Sequence, residues 1–205
     1  TGAWSRREAM GAVELAGRTA LVVGFGRIGR GCAARAAAFG MAVLVHDPAL
    51  TPTAVPPAGV GRADDLDSGL AEADVVSLHL PLTDRTRGLF DAPRLARMRV
   101  GAILVNTARG GIVDETALLA ALDRGRPGRY ATDVMAAEPP EPDDPLLRRE
   151  DVILGPHCAA LTGEGAMRMA HRSAQNALDF IDGRLAPEMA ALAAAGPHAF
   201  TGDAQ

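Results

Sequence analysis

The chain lacks lysine altogether: all 21 basic residues among its 205 positions are arginine. That absence excludes Schiff-base catalysis and a lysine general base. Aromatic residues are scarce at 3%, whereas hydrophobic residues reach 48%, so the core must be built from Ala, Val, Leu and Ile. Such a composition suits a parallel sheet covered by helices. Cysteine is limited to Cys32 and Cys158, too few for a disulfide framework, and the two read as reduced thiols. No apolar run reaches the roughly 18 residues of a bilayer-spanning helix. Thr1–Leu15 has no apolar stretch of the secretory kind, and cytoplasm is the expected compartment. With 25 acidic residues interspersed among the basic ones and a net charge of −4, there is no basic stripe. Neither nucleic acid nor an anionic membrane is therefore expected as a partner. No set of His, Cys and carboxylates has metal-ligand spacing, so no metal site is expected.

What is present is alternation. A chain of this length buries roughly 70% of the surface its unfolded form exposes, enough for one large domain without staples. Thr19–Val23 is a β-branched and aliphatic run, followed by Gly24-Phe-Gly-Arg-Ile-Gly29 and an Ala-rich helical stretch to Phe39. Met41–His46 is a second strand ending at Asp47, and the proline-rich segment 48–61 reads as a loop. Further on, helix is expected over Asp64–Glu72, Pro93–Met98 and the stretch after Asp114, an N-cap. Strands are expected over Asp74–Leu80, Gly101–Asn106, Arg129–Val134 and Asp151–Leu154, with a loop over Met135–Arg149. A long helix is expected over Thr162–Ile181, with Met167, Ala170, Ala174, Ala177, Leu178 and Ile181 on one apolar stripe. Residues 184–205 show no period and are expected to form a weakly ordered tail. Strand and helix alternating with glycines at the joints indicate an α/β fold, a doubly wound parallel sheet of the Rossmann type.

Three polar islands stand out: Thr107-Ala-Arg-Gly-Gly111, Asp133-Val-Met-Ala-Ala-Glu-Pro139 and Gly155-Pro-His-Cys-Ala-Ala160. Each follows a short apolar run. In an open parallel sheet, side chains just past the carboxyl ends of successive strands converge on one crevice, which would bring Arg109, Glu138 and His157 together. An arginine, a carboxylate and a histidine are the parts of a site for a small carboxylate substrate. The Gly-x-Gly-x-x-Gly turn follows a strand, opens a helix and has Asp47 at the end of the next strand, a dinucleotide-binding context. Gly24 permits the tight turn, Gly26 the approach of a pyrophosphate, and Gly29 close packing of helix on strand. Arg27 and Ile28 lie in the same turn. Asp47 would accept hydrogen bonds from ribose hydroxyls and repel a 2′-phosphate, which favours NAD over NADP.

Gly24–Gly29, His79-Leu-Pro-Leu-Thr83, Asn106–Gly111, Asp133-Val with Glu138-Pro139, and Pro156-His157 together resemble the nucleotide-binding domain of the D-isomer-specific 2-hydroxyacid dehydrogenases. The likeness runs from about Trp4 to Arg184. It implies hydride transfer between NAD and C2 of a 2-hydroxy or 2-keto acid, with Arg109 binding the substrate carboxylate, His157 moving the proton and Glu138 supporting His157. It further implies that Asp133 contacts the nicotinamide carboxamide, that Thr107 and Ala108 lie along the nicotinamide, and that Ala159 and Ala160 line the same pocket. Pro81 and Thr86 would border the cofactor near its middle. Residues 1–17 resemble the helix that crosses between the two domains of such enzymes, residues 18–183 the cofactor domain, and most of the substrate domain has no counterpart here. A homodimer, or association with a separate substrate domain, is the expected assembly. The apolar stripe of the long helix is expected to be exposed. A non-catalytic NAD-binding module acting as a sensor or regulatory partner remains the alternative reading.

Overall fold

The computed structural model describes residues 13–50 and 59–186. The crossing helix expected within residues 1–17 and the tail expected from residue 184 fall largely outside them. The chain divides into two compact units, Thr1–His157 and Cys158–Gln205. The first unit contains β1 (Thr19–Val23), α1 (Arg27–Ala38), β2 (Ala42–His46), β3 (Val60–Arg62), α2 (Leu66–Glu72) and β4 (Val75–Leu78). It continues with α3 (Ala92–Arg97), β5 (Ile103–Asn106), α4 (Glu115–Leu122), β6 (Arg129–Thr132) and β7 (Val152–Leu154). The second unit contains α5 (Gly163–Ile181).

The strands form one parallel sheet of seven in the order β3-β2-β1-β4-β5-β6-β7. The order reverses between β1 and β4, and this is where an open α/β sheet leaves a crevice at its carboxyl edge. The expected doubly wound Rossmann-type sheet is thus the observed one. Alternation of side chains along β1 sends Leu21 and Val23 into one apolar layer and Val22 into the other. The larger layer holds Leu70, Leu78, Phe90, Leu95, Leu104, Leu118 and Tyr130 under α2, α3 and α4, and the smaller one holds Phe25, Ala33, Val43 and Val45 against α1. Each such aliphatic side chain removed from water contributes on the order of 1.5–3 kcal/mol.

Caps fix the helix starts. Asp65 accepts the Ser68 N–H while the Ser68 side chain returns to the Asp65 backbone, and Asp91, Asp114 and Thr162 each accept an N–H in the first turn of α3, α4 and α5. Each cap stabilises its helix by about 1 kcal/mol. β3 departs from expectation. Residues 48–61 read as loop, but Val60 and Arg62 pair with β2. Val60-Gly61-Arg62 offers a single apolar residue and no alternation, so its strand character comes from the ladder of β2 rather than from local pattern.

In the second unit, α5 follows Thr162 as expected. None of its residues is buried, and Met167, Leu178, Phe180 and Ile181 are all more than half exposed. No helix among the described residues is long and apolar enough to cross a membrane.

Candidate active site

Register places the site. Leu78 pairs with Asn106, Asn106 with Thr132 and Thr132 with Leu154, so β4 to β7 end level with one another. Val23, the last residue of β1, pairs with Leu78. The residues that follow, Gly24, His79, Thr107, Asp133 and Gly155, therefore emerge along one edge of the sheet.

At the β1 end the shape is made by backbone. Gly24 has φ of +91°, and a Cβ there would collide with the carbonyl of His79 on the neighbouring strand. A Cβ on Gly29 would overlap the Gly24 carbonyl, so only glycine lets α1 start this close to β1. Gly26 caps α1 with no side chain and has open space around it, which leaves first-turn N–H groups for an outside acceptor. That is the arrangement a pyrophosphate requires. Arg27 is exposed, and the neighbouring Ile28 is 74% exposed although apolar. Ile28 lines a cleft of about 410 Å³ with His79, Pro81, Thr107, Ala108 and Arg109.

Asp47, just past β2, does more than the sequence indicated. Its Oδ2 accepts the Phe25 N–H at 2.7 Å and its Oδ1 accepts the Ala49 N–H at 2.8 Å, so the carboxylate braces the glycine turn from the next strand. Each oxygen keeps a further lone pair, which leaves room for ribose hydroxyls. Thr86 is occupied locally: its hydroxyl donates to the Pro81 carbonyl at 2.7 Å and accepts the Thr83 N–H at 2.8 Å, closing the loop after β4. His79 is partly buried, its Nε2 lies 2.9 Å from the Ser77 hydroxyl, and burial pushes its pKa down.

At the β5–β7 end the shape is made by side chains. His157 Nδ1 lies 2.7 Å from Glu138 Oε2, while Glu138 Oε1 accepts the Met135 N–H at 2.9 Å. These bonds, with the nearby positive charge of Arg109, hold the Glu138 carboxyl below its ordinary value, with the His157 bond contributing most. His157 has φ of +54°, a left-handed conformation that costs a non-glycine residue on the order of 1 kcal/mol. The Arg109 side chain is exposed, and its Nη1 donates to the Ala108 carbonyl at 2.6 Å.

Asp133, Glu138 and His157 line a second cavity of about 320 Å³ with Met135, Pro139, Pro140, Leu154, Gly155 and Pro156. A Cβ on Gly155 would overlap the Asp133 carboxylate, so the glycine is what lets Asp133 lie across the end of β7. Thr107 and Ala108 lie in the turn after β5, on the wall of the cleft described above. Ala159 and Ala160 belong to the second unit, where they border a hollow at the start of α5 with Thr162, Gly165 and Arg168.

A family model described as the D-isomer specific 2-hydroxyacid dehydrogenase, NAD binding domain, matches residues 1–159. The chain belongs to this family. It is 41% identical over 182 residues to the D-3-phosphoglycerate dehydrogenase of Archaeoglobus fulgidus, which covers 89% of this chain and 34% of that protein. It is 42% identical over 176 residues to the glyoxylate reductase of Korarchaeum cryptofilum, covering 86% of this chain and 53% of the relative. Among solved structures, the D-lactate dehydrogenase of Aquifex aeolicus complexed with NAD and lactic acid superposes with a TM-score of 0.75 at 33% identity, covering 85% of this chain and 56% of that one. The chain thus spans between a third and somewhat over half of the length of these relatives.

Within this family domain, two polar residues to which the sequence assigned no role shape the site. Asn106 is fully buried; its Oδ1 accepts the Ala108 N–H at 3.1 Å and its Nδ2 donates to the Arg109 carbonyl at 3.0 Å, so it closes the turn that presents Arg109. Its place at the end of a strand, where a buried amide must find partners, was the available signal. Glu115 Oε1 accepts the Ala136 N–H at 2.8 Å, joining the start of α4 to the loop of Glu138. Nothing in the local sequence distinguishes it from an ordinary first-turn acid. Among the described residues no group of His, Cys, Asp and Glu is placed to hold a metal ion.

Proposed function

We propose that this chain is the cofactor-binding half of an NAD-dependent dehydrogenase that acts at C2 of a 2-hydroxy or 2-keto acid. The observation that carries the reading is the 2.7 Å bond between His157 and Glu138, at the level ends of β6 and β7, with the charge of Arg109 acting on the same carboxylate. A bound nicotinamide supplies or takes up the hydride. Everything else falls to the chain's own groups.

Arg109 is the substrate anchor. Its guanidinium presents a planar fork that can hold a carboxylate through two parallel hydrogen bonds and polarise the adjacent carbonyl oxygen. One nitrogen of the fork donates to the Ala108 carbonyl, and Arg109 lines the cleft beside Thr107. His157 is the acid-base group. With Nδ1–H donated to Glu138, the lone pair of Nε2 takes the hydroxyl proton in oxidation, and the protonated ring returns it in reduction. Glu138 fixes that tautomer and stabilises the imidazolium, as an orienting carboxylate does in other acid-base pairs. Asp133 would receive the carboxamide, and the backbone at Thr107 and Ala108 would lie along the nicotinamide. Pro81 and Thr86 shape the neighbouring loop, and the Gly24–Gly29 turn with Arg27 and Ile28 receives the pyrophosphate.

NAD is favoured over NADP because a 2′-phosphate would meet the Asp47 carboxylate, which its two backbone hydrogen bonds hold in place. The substrate is a small 2-hydroxy or 2-keto acid.

The test is the His157→Ala variant, assayed beside the parent for reduction of a 2-keto acid with NADH. Reduction of a 2-keto acid should fall by about 100- to 10,000-fold while NADH affinity stays unchanged. Equal turnover in variant and parent would remove His157 from the mechanism.

A further inference from the structure

Glu115 occupies the first position of α4, six residues after Arg109, and its Oε1 accepts the Ala136 N–H at 2.8 Å. Ala136 stands two residues before Glu138, and its neighbour Met135 donates its own N–H to Glu138 Oε1 at 2.9 Å. We propose that Glu115 is a positioning residue for the acid-base pair: its bond to Ala136 ties the Glu138 loop to the helix that follows Arg109. The functional consequence rests on the dehydrogenase reading given above; the tie itself does not.

A first-turn acid gains from the helix dipole while remaining in water. Glu115 does something else. It is partly buried, and burial pushes its carboxyl up from the ordinary range, an effect to which the charges of Asp144 and Asp114 add and which the Ala136 N–H opposes. A carboxylate drawn out of water beside other acids costs free energy that a solvated acid at the same position would not. The bond to Ala136 is what this placement provides. Independent packing runs through the same joint: a Cβ on Gly110 would overlap the backbone carbonyl of Met135, so the turn after Arg109 and the start of the Glu138 loop touch directly. The bridge between Phe90 and Val113 holds the far side of that turn. Arg109 and Glu138 are therefore carried on two loops cross-linked at Gly110 and at Glu115. Releasing one link lets the Glu138 carboxylate drift from His157, and displacement of a catalytic group by about 1 Å lowers turnover by roughly 100-fold.

The experiment compares the parent 205-residue chain with E115A, E115Q and E115D by NMR, following the Ala136 amide and the titration of the Glu138 side-chain carboxyl. E115A should shift the Ala136 amide and move the Glu138 titration upward, toward the ordinary carboxylate range. E115Q should keep both parent values, because its amide oxygen accepts the same N–H. E115D keeps the charge but is too short to reach, and should behave like E115A, so it decides the matter if E115A does not fold. In assays of 2-keto acid reduction, E115A and E115D should lower kcat by about 10- to 100-fold with NADH affinity unchanged, and E115Q should restore it. An unmoved Glu138 titration in E115A and E115D, or equal loss in E115Q, overturns the proposal. Absence of 2-keto acid reduction in the parent would count against the dehydrogenase reading instead, while the NMR comparison still decides the tie.

Discussion

The two ends of the crevice are built by different means. At β1 and β2 the shaping groups are main-chain: the Gly24 and Gly29 backbones pack where a Cβ would overlap a carbonyl, and Asp47 acts by accepting backbone N–H groups. At β5 to β7 the shaping groups are side chains on loops, with His157 bonded to Glu138, and Asn106 and Glu115 fixing the loops beneath. The difference teaches where each end is vulnerable. A backbone-made site fails when a side chain is added, whereas a site made of side chains fails when one is removed or its loop shifts.

The sharpest way to break the first end is Gly29→Ala. Its methyl would meet the Gly24 carbonyl, costing about 1–3 kcal/mol in stability and displacing α1 from the turn. NADH binding should be lost, as read by calorimetry, with a lowered melting temperature; binding at the parent level would show that the close approach does not matter. The second end offers a matching test in Gly110→Ala, whose methyl would press on Met135. On the proposed dehydrogenase reading, reduction of a 2-keto acid should fall about 10- to 100-fold with NADH affinity retained, because only the loops of Arg109 and Glu138 move. Loss of both together would mean that the two ends are not separable.

The smallest expected effect is a pH dependence. The folded-state pKa of Glu138 lies below its ordinary value of 4.5, so ionised Glu138 stabilises the fold fully above that value, and the contribution is lost as pH falls through the lowered one. Glu138→Gln should melt below the parent at neutral pH, and the gap should close as the pH is lowered beneath about 4.5. A gap that stays constant across this range would show that the ionised Glu138 carboxylate and its bond to His157 contribute nothing to stability, and the exposure of both side chains keeps the effect small.

Much of this was legible beforehand, for reasons that vary by element. β1 ends at Val23 as expected, and α4 begins after Asp114 as expected, because a β-branched run before a glycine turn and an aspartate before an apolar face are local signals. β3 was not legible, since its pairing partner lies in another segment. Strand topology accounts for Arg109, Glu138 and His157 following three strand ends that lie level at one edge of the sheet, with Arg109 on the wall of one cavity and the other two on the wall of another. The bond between Glu138 and His157 was expected from the family resemblance, which has Glu138 supporting His157, and not from strand topology; the left-handed backbone at His157 is what sequence gives no reason to expect of a histidine. Asn106, quoted only as the start of a motif, and Glu115 received no role from the sequence because tertiary partners, rather than spacing, define what they do.

Calorimetric titration of NADH into the 205-residue chain and its Asp47→Ala variant tests most directly that this domain is a nicotinamide-cofactor site. The structure predicts saturable binding by the parent, weakened about 10- to 100-fold in the variant as hydrogen bonds to a charged group are lost. No binding by the parent at saturating concentrations, or unchanged affinity in the variant, would contradict it.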